Sequence, residues 1–190
     1  MSKQPISAEA SVGHRKRTPV VLVQVTDDPE VNETFKRVLE RGAPTVPNIH
    51  RTMANSPSVS ASFADLTNAL RFHTEINPVD RELAILCVLE RHRGDYELKK
   101  HRPYGRTLGL TADQVANVCN PNGAEYYNDR QREVLRFAER FAADPREVDT
   151  LPTDNIEKYL NNRERIELAM TLALYMGVAH FTSVLDVPDD

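Results

Sequence analysis

From Pro29 onward the hydrophobic residues of this chain recur at three- and four-residue intervals, the spacing of an α-helical face. In PEVNETFKRVLERG, Val31, Phe35, Val38 and Leu39 predict a first helix, closed by Gly42. Pro47 and Pro57 cut the next stretch, TVPNIHRTMANSPSVSASFADLTNALRFH, into a brief turn and a helix whose apolar residues are Val59, Phe63, Leu66 and Leu70. Asn77 then caps a helix with Pro78 at its first position, and its run from Leu83 to Leu89 is apolar nearly all round, which marks it as the central helix. Gly94 breaks that helix. Asp95 opens DYELKKHRPYGRTLG, which ends at Gly109 and is kinked or divided by Pro103. Thr111 with Gln114, and Asn128 with Gln131, have the spacing of reciprocal N-terminal caps. The second pair opens DRQREVLRFAERFAAD, with its stripe of Val134, Leu135, Phe137, Ala138 and Phe141. NNRERIELAMTLALYMGVAHFTSVL reads as a long final helix containing Gly177, and only VVLVQV, residues 20–25, reads as a strand. The expected fold class is all-α, a compact multi-helix bundle of about seven or eight helices.

The chain of 190 residues has the size of one domain, large enough to bury about 70% of the surface its unfolded form exposes. The expected division is a disordered or loosely ordered tail over residues 1–28 and the helical domain over 29–190. The tail carries a basic run, His14–Arg17, which reads as a solvated segment; a nucleic-acid role is the other reading of so short a signal. With 24 basic and 28 acidic residues the net charge is -4, so no nucleic-acid footprint dominates the molecule. Cys87 and Cys119 lie within helical patterns, with neither disulfide-framework nor C-x-x-C spacing, which favours a reducing compartment. No apolar run approaches the roughly 18 residues a membrane span needs, and the N-terminus has no apolar signal core. A cytoplasmic protein without membrane or nucleic-acid partners is expected.

Three side chains carry the candidate chemistry: Glu82, Glu97 and His101. On a helix, residue 82 shares a face with Ile85, Leu86 and Leu89, so Glu82 points toward the core and a carboxylate there needs a partner. Arg81 is adjacent, but a histidine arriving from a neighbouring helix suits better. The helix N-terminal dipole explains a glutamate there equally well, and spacing alone does not choose. Glu97 and His101, four residues apart, share a face with Tyr104 and Leu108, half polar and half apolar, as a pocket lining would be. A carboxylate beside an imidazole fixes its tautomer and readies it for proton transfer near neutral pH. An exposed surface pair is the plainer reading of the same spacing. With His50 or His73 these residues offer metal-ligand chemistry, yet the spacing matches neither H-E-x-x-H nor Glu-x-x-His, and no metal or cofactor is expected. Arg91, His92, Arg93, Lys99, Lys100 and Arg102 crowd the region, mostly as solvated faces, with one available to an anionic substrate.

Written as R-E-L-A-I-L, then G-x-Y-E-x-x-x-H-x-P, then G-L-T, the stretch from Arg81 to Leu110 resembles the carboxymuconolactone decarboxylase family, within the alkylhydroperoxidase D-like superfamily. VPNIHRTMANSP and IELAMTLALYMGVAHF share the likeness, which covers residues 30–187. It implies an all-helical subunit, assembled into trimers or hexamers, with a cofactor-free site between helices. In the superfamily's peroxidase branch a glutamate at the place of Glu82 serves a C-x-x-C pair followed by a histidine; here the two cysteine places are Gly94 and Glu97. The decarboxylase branch has the tyrosine, glutamate, histidine and proline seen here as Tyr96, Glu97, His101 and Pro103, while Leu98 replaces an aromatic residue, often tryptophan.

The resemblance implies a cofactor-independent lyase of aromatic-compound catabolism, which removes carbon dioxide from a carboxylated lactone or related small molecule through an enol-like carbanion. In that reading His101 carries the proton, Glu97 orients it or acts as second acid, Glu82 completes the relay, and Tyr96 and His50 bind substrate. One alternative is an alkylhydroperoxidase-like oxidoreductase, for which Cys87 is the available thiol, although its place in the apolar run marks a core residue. Another is a non-catalytic helical oligomer or binding module, in which Glu82, Glu97 and His101 would not converge within about 4–6 Å. LAILCVL and IELAMTLALYMGVAHF are apolar around most of their circumference, so a homo-oligomer is expected.

Overall fold

A computed structural model describes residues 20–24, 26–122, 125–151 and 154–190. The basic run His14–Arg17 lies outside the described residues. Among those described there are eight α-helices: α1 (Pro29–Glu40), α2 (Asn48–Met53), α3 (Pro57–Phe72), α4 (Pro78–Arg91), α5 (Asp95–Thr107), α6 (Ala112–Ala116), α7 (Asp129–Ala142) and α8 (Asn162–Val184). Two single 3-10 turns, Val148–Thr150 and Ile156–Lys158, join α7 to α8. None of these helices is long and apolar enough to cross a membrane.

The hub is α4, because ten successive residues, Asp80 to Leu89, are buried and one side chain or another faces every direction. It packs against α5, α7 and α8, whose Leu98, Val134, Leu135, Leu168 and Leu172 join Leu83, Leu86 and Leu89 in one core. A layer formed by α1, α2 and α3 covers the remaining side, with α1 packed on α3. Helix starts follow local chemistry: Asn77 accepts from the Val79 and Asp80 amides, and Thr111, Asn128 and Asn161 each form a reciprocal cap with the residue three places on. Arg81 donates to the carbonyls of Leu70 and Arg71 at 3.1 Å each, capping the end of α3 from the start of α4.

Several expectations change. The stretch between Pro47 and Pro57 holds a helix, α2, where only a turn was expected. The buried face of α3 is formed by Ser60 and Ala64, whereas Val59 and Leu66 are exposed, as is Leu39 of α1. Small residues fill that face because α1 lies close against it. Pro103 does not divide α5, which continues through it; both Pro103 and Lys99, whose carbonyl loses its partner, are exposed, where water can take the missing amide's place. Residues 20–24 form no strand: the Val23 amide donates to the Arg51 carbonyl at 3.1 Å, so this segment pairs only with the edge of α2.

Gly94, the N-cap of α5, is the tightest joint. A Cβ there would lie 2.6 Å from Leu89 Cδ2 and 3.1 Å from Ala179 Cβ of α8. Overpacking of this kind costs about 1–3 kcal/mol. Gly94→Ala is accordingly expected to lower the unfolding free energy by that amount, read as a lower urea midpoint with an unchanged denaturant slope; an undiminished midpoint would show that α4, α5 and α8 meet more loosely.

Candidate active site

Glu82 is only 1% exposed, one turn inside α4, and it faces α5. Residue 105 of α5 is glycine: a Cβ on it would make ordinary contact, at 3.5 Å, with both Glu82 Cγ and Leu86 Cδ1, and a tight one, at 3.1 Å, with Leu110 Cδ1. From α5 the imidazole of His101 reaches back, its Nδ1 2.7 Å from Glu82 Oε1. A carboxylate acceptor places a hydrogen on Nδ1, which leaves Nε2 on the other side of the ring, 3.6 Å from Glu97 Oε2. The ring is thus flanked by two carboxylates, both on side chains at most 10% exposed. Tyr175 of α8 holds it edge-on, with ring centroids 4.8 Å apart. The Tyr175 phenol is pushed above its ordinary range, first by burial and then by the charges of Glu97 and Glu82, and stays protonated.

Glu82, Glu97, His101 and Tyr175 line one cavity of about 340 Å³, closed by residues of α1, α2 and α3. Its walls are largely apolar, with Ile49, Phe63, Leu70, Ile85 and Val178. Two cations, Arg41 and Arg71, also line it. Among the described residues neither forms an ion pair: Arg41 contacts Thr67 Oγ1 at 3.4 Å, and Arg71 lies over the rings of Phe72 and Tyr104. Lys100 and Arg81 line it as well: Asp190 pairs with Lys100 at 2.8 Å, and Arg81 is held by the Leu70 and Arg71 carbonyls.

His50 lines the same cavity and is buried, and among the described residues its Nδ1 has no hydrogen-bond partner. Burial, reinforced by the charges of Arg41 and Lys100, lowers its pKa from 6.5 to about 4, so the ring is neutral. Tyr96 sits elsewhere than its expected substrate-binding place: it is not part of the cavity lining. Its hydroxyl accepts from the Ile49 amide at 3.1 Å and donates to Asp190 Oδ1 at 2.9 Å, clamping α2 to α5. His73 is exposed beside Asn68. Arg41, Arg71 and Tyr175 escaped sequence reasoning, since each reaches the cavity from a helix distant along the chain; Tyr175 alone left a trace, as the one hydroxyl-bearing ring in LAMTLALYMG.

No protein-family model matches the chain, and no curated protein does. Solved structures do. An uncharacterized peroxidase-related protein from Silicibacter sp. TM1040 superposes with a TM-score of 0.71 at 17% identity, over 94% of this chain and 96% of its own. The debrominase Bmp8 gives 0.72 at 17%, over 92% and 93%. An uncharacterized peroxidase-related protein from Ralstonia eutropha JMP134, described as an alkylhydroperoxidase AhpD core, gives 0.69 at 20%, over 92% of each chain. The fold is alkylhydroperoxidase D-like. Where α4 turns into α5 this chain carries Gly94, at which a Cβ would crowd Leu89 and Ala179, and three residues on the Glu97 carboxylate.

The neutral, buried His50 makes stability depend on pH. Its folded pKa is depressed, so the unfolded chain binds the extra proton first: the contribution is whole above pH 6.5 and is lost as pH falls toward 4. The full loss amounts to about 3 kcal/mol. Urea unfolding at neutral pH and near pH 4 should show a smaller acid-induced drop in His50→Gln than in the parent chain; equal drops would mean that His50 is protonated in the folded state.

Proposed function

We propose that this protein is a cofactor-independent lyase of the carboxymuconolactone decarboxylase type, acting by proton transfer on a carboxylated lactone or a related small molecule. The observation that carries this reading is the His101 imidazole held between two buried carboxylates at the closed end of a cavity. Loss of carbon dioxide leaves an electron pair on the substrate carbon, conjugated as an enolate, and that carbon must take up a proton. His101 delivers it from Nε2, with Glu82 holding Nδ1–H and balancing the imidazolium charge. Glu97, at 3.6 Å, orients Nε2 and returns the proton after release. The unpaired Arg41 and Arg71 suit an anionic substrate, and the apolar wall weakens solvation of the carboxylate that is lost. Proton transfer from a positioned group contributes about 10²–10⁴ in rate.

Carbon dioxide release from a panel of carboxylated lactones tests this. His101→Ala and Glu97→Gln are each expected to lower turnover by about 10²–10⁴ while far-UV circular dichroism stays unchanged. Parental turnover in both variants would remove the mechanism.

We also propose that the working form is a homo-oligomer, a trimer or hexamer. On α8 a stripe of Ile166, Met170, Ala173, Gly177 and Val184 is exposed, with Ile166 at 66% and Val184 at 67%. Its spacing of three and four residues keeps the stripe on one face along the whole helix, and the small residues at its middle let a partner approach closely. Light scattering at micromolar concentration is expected to give a multiple of the 21.5 kDa subunit mass; a stable monomer would sink the idea.

A further inference from the structure

The segment that follows α8 folds back onto α2 and α5. Leu185 caps α8, Asp186 takes a left-handed turn at φ 52°, and the Val187 amide donates to the Thr182 carbonyl at 2.9 Å, so the chain reverses. Val187 then packs against the cluster of Ile49, Tyr96 and Val178. Beyond it, the contacts concentrate on the start of α2, whose N-cap, Pro47, supplies no side-chain bond of its own. The Asn48 side-chain amide donates to the Pro188 and Asp189 carbonyls at 3.3 and 2.9 Å, and the Asn48 backbone amide donates to Asp190 Oδ1 at 2.6 Å. Residues 187–190 therefore latch α2 in place.

The latch shares one group with the cavity. Asp190 Oδ1 also accepts from the Tyr96 hydroxyl at 2.9 Å, while Oδ2 pairs with the Lys100 ammonium at 2.8 Å. Lys100 belongs to the face of α5 that carries Glu97, three places before it, and Tyr104, four places after, and all three line the cavity; Asp190 and Tyr96 do not. The ammonium thus holds the latch from one side and is open to the cavity from the other. With 35% of the Lys100 side chain and 30% of the Asp190 side chain exposed, the pair is weak enough for another anion to compete. Lysine's flexible stem lets the charge swing between the two.

We propose that Lys100 is the masked cation of a carboxylate-binding subsite in the cavity and that Asp190 is its built-in competitor, so that a carboxylate bound in the cavity draws Lys100 away and loosens both residues 187–190 and α2. The exchange replaces one carboxylate by another on the same ammonium, and no covalent bond changes. Because α2 contributes Pro47, Ile49 and His50 to the cavity wall, occupancy of Lys100 and freedom of that wall are linked in both directions: whatever weakens the latch strengthens binding, and binding weakens the latch. The adjacent ion pair of Lys99 with Asp189 lies outside the cavity lining and takes no part. The inference concerns binding alone, so it stands or falls separately from the lyase reading.

The test is calorimetric titration of the full chain with succinate, a small dicarboxylate. Asp190→Asn is expected to tighten binding by about fivefold or more. Asp189→Asn, which removes the same charge beside Lys99, should leave the dissociation constant unchanged. Asn48→Ala, which removes two hydrogen bonds of the latch and no charge, should tighten it. In Lys100→Gln binding should weaken, and adding Asp190→Asn should then bring no gain. Hydrogen exchange of the α2 amides should quicken in the parent chain when succinate is added and be fast from the outset in Asp190→Asn. The proposal is overturned if Asp190→Asn binds succinate no tighter than the parent, if Asp189→Asn gains as much, if the gain persists without Lys100, or if exchange in α2 does not respond.

Discussion

One buried charge organises this molecule. A glutamate nearly sealed from solvent is tolerable only beside a hydrogen-bonding partner, since an isolated carboxylate in an apolar surround costs several kcal/mol. The partner of Glu82 is His101, and their 2.7 Å contact obliges α5 to lie directly against α4. Gly94 allows the chain to turn from one helix into the other beneath α8. Arg81, next along α4, does not compensate Glu82 but ties down the end of α3, and so fixes the wall that faces it.

The rest of the site follows from that contact. With the imidazole anchored at Nδ1, its second nitrogen is aimed at Glu97 and the open space beyond. Tyr175 restrains the ring from the side. The far wall is held by Tyr96, whose hydroxyl bridges the Ile49 amide and Asp190, and this keeps α2 and its neutral His50 over the cavity. Polar groups thus converge from four helices, α2, α4, α5 and α8, on a space otherwise bounded by hydrocarbon.

An alkylhydroperoxidase D-like fold is a scaffold, and its chemistry resides in the few side chains that the α4–α5 corner presents. Here the corner presents Gly94 and the Glu97 carboxylate, beside His101. On the other face of α4 the Cys119 thiol contacts the Cys87 carbonyl at 3.8 Å.

Much of this was legible in the residues alone. The helices, their caps at Asn77, Thr111 and Asn128, and the central position of α4 are dictated by local periodicity and short-range hydrogen bonds, which need no knowledge of the remainder of the fold. The inward aim of Glu82 follows from the same periodicity, as does the shared face of Glu97 and His101. Spacing could not decide whether that glutamate capped a dipole or met a histidine, because the answer depends on the angle and distance between two helices. Nor could it show Arg41, Arg71 and Tyr175 at the cavity, Tyr96 clamping α2, the small buried face of α3, or Cys87 beside Cys119. Each of those is a contact between segments far apart in the chain, set by how whole helices pack, and only the tertiary structure decides it.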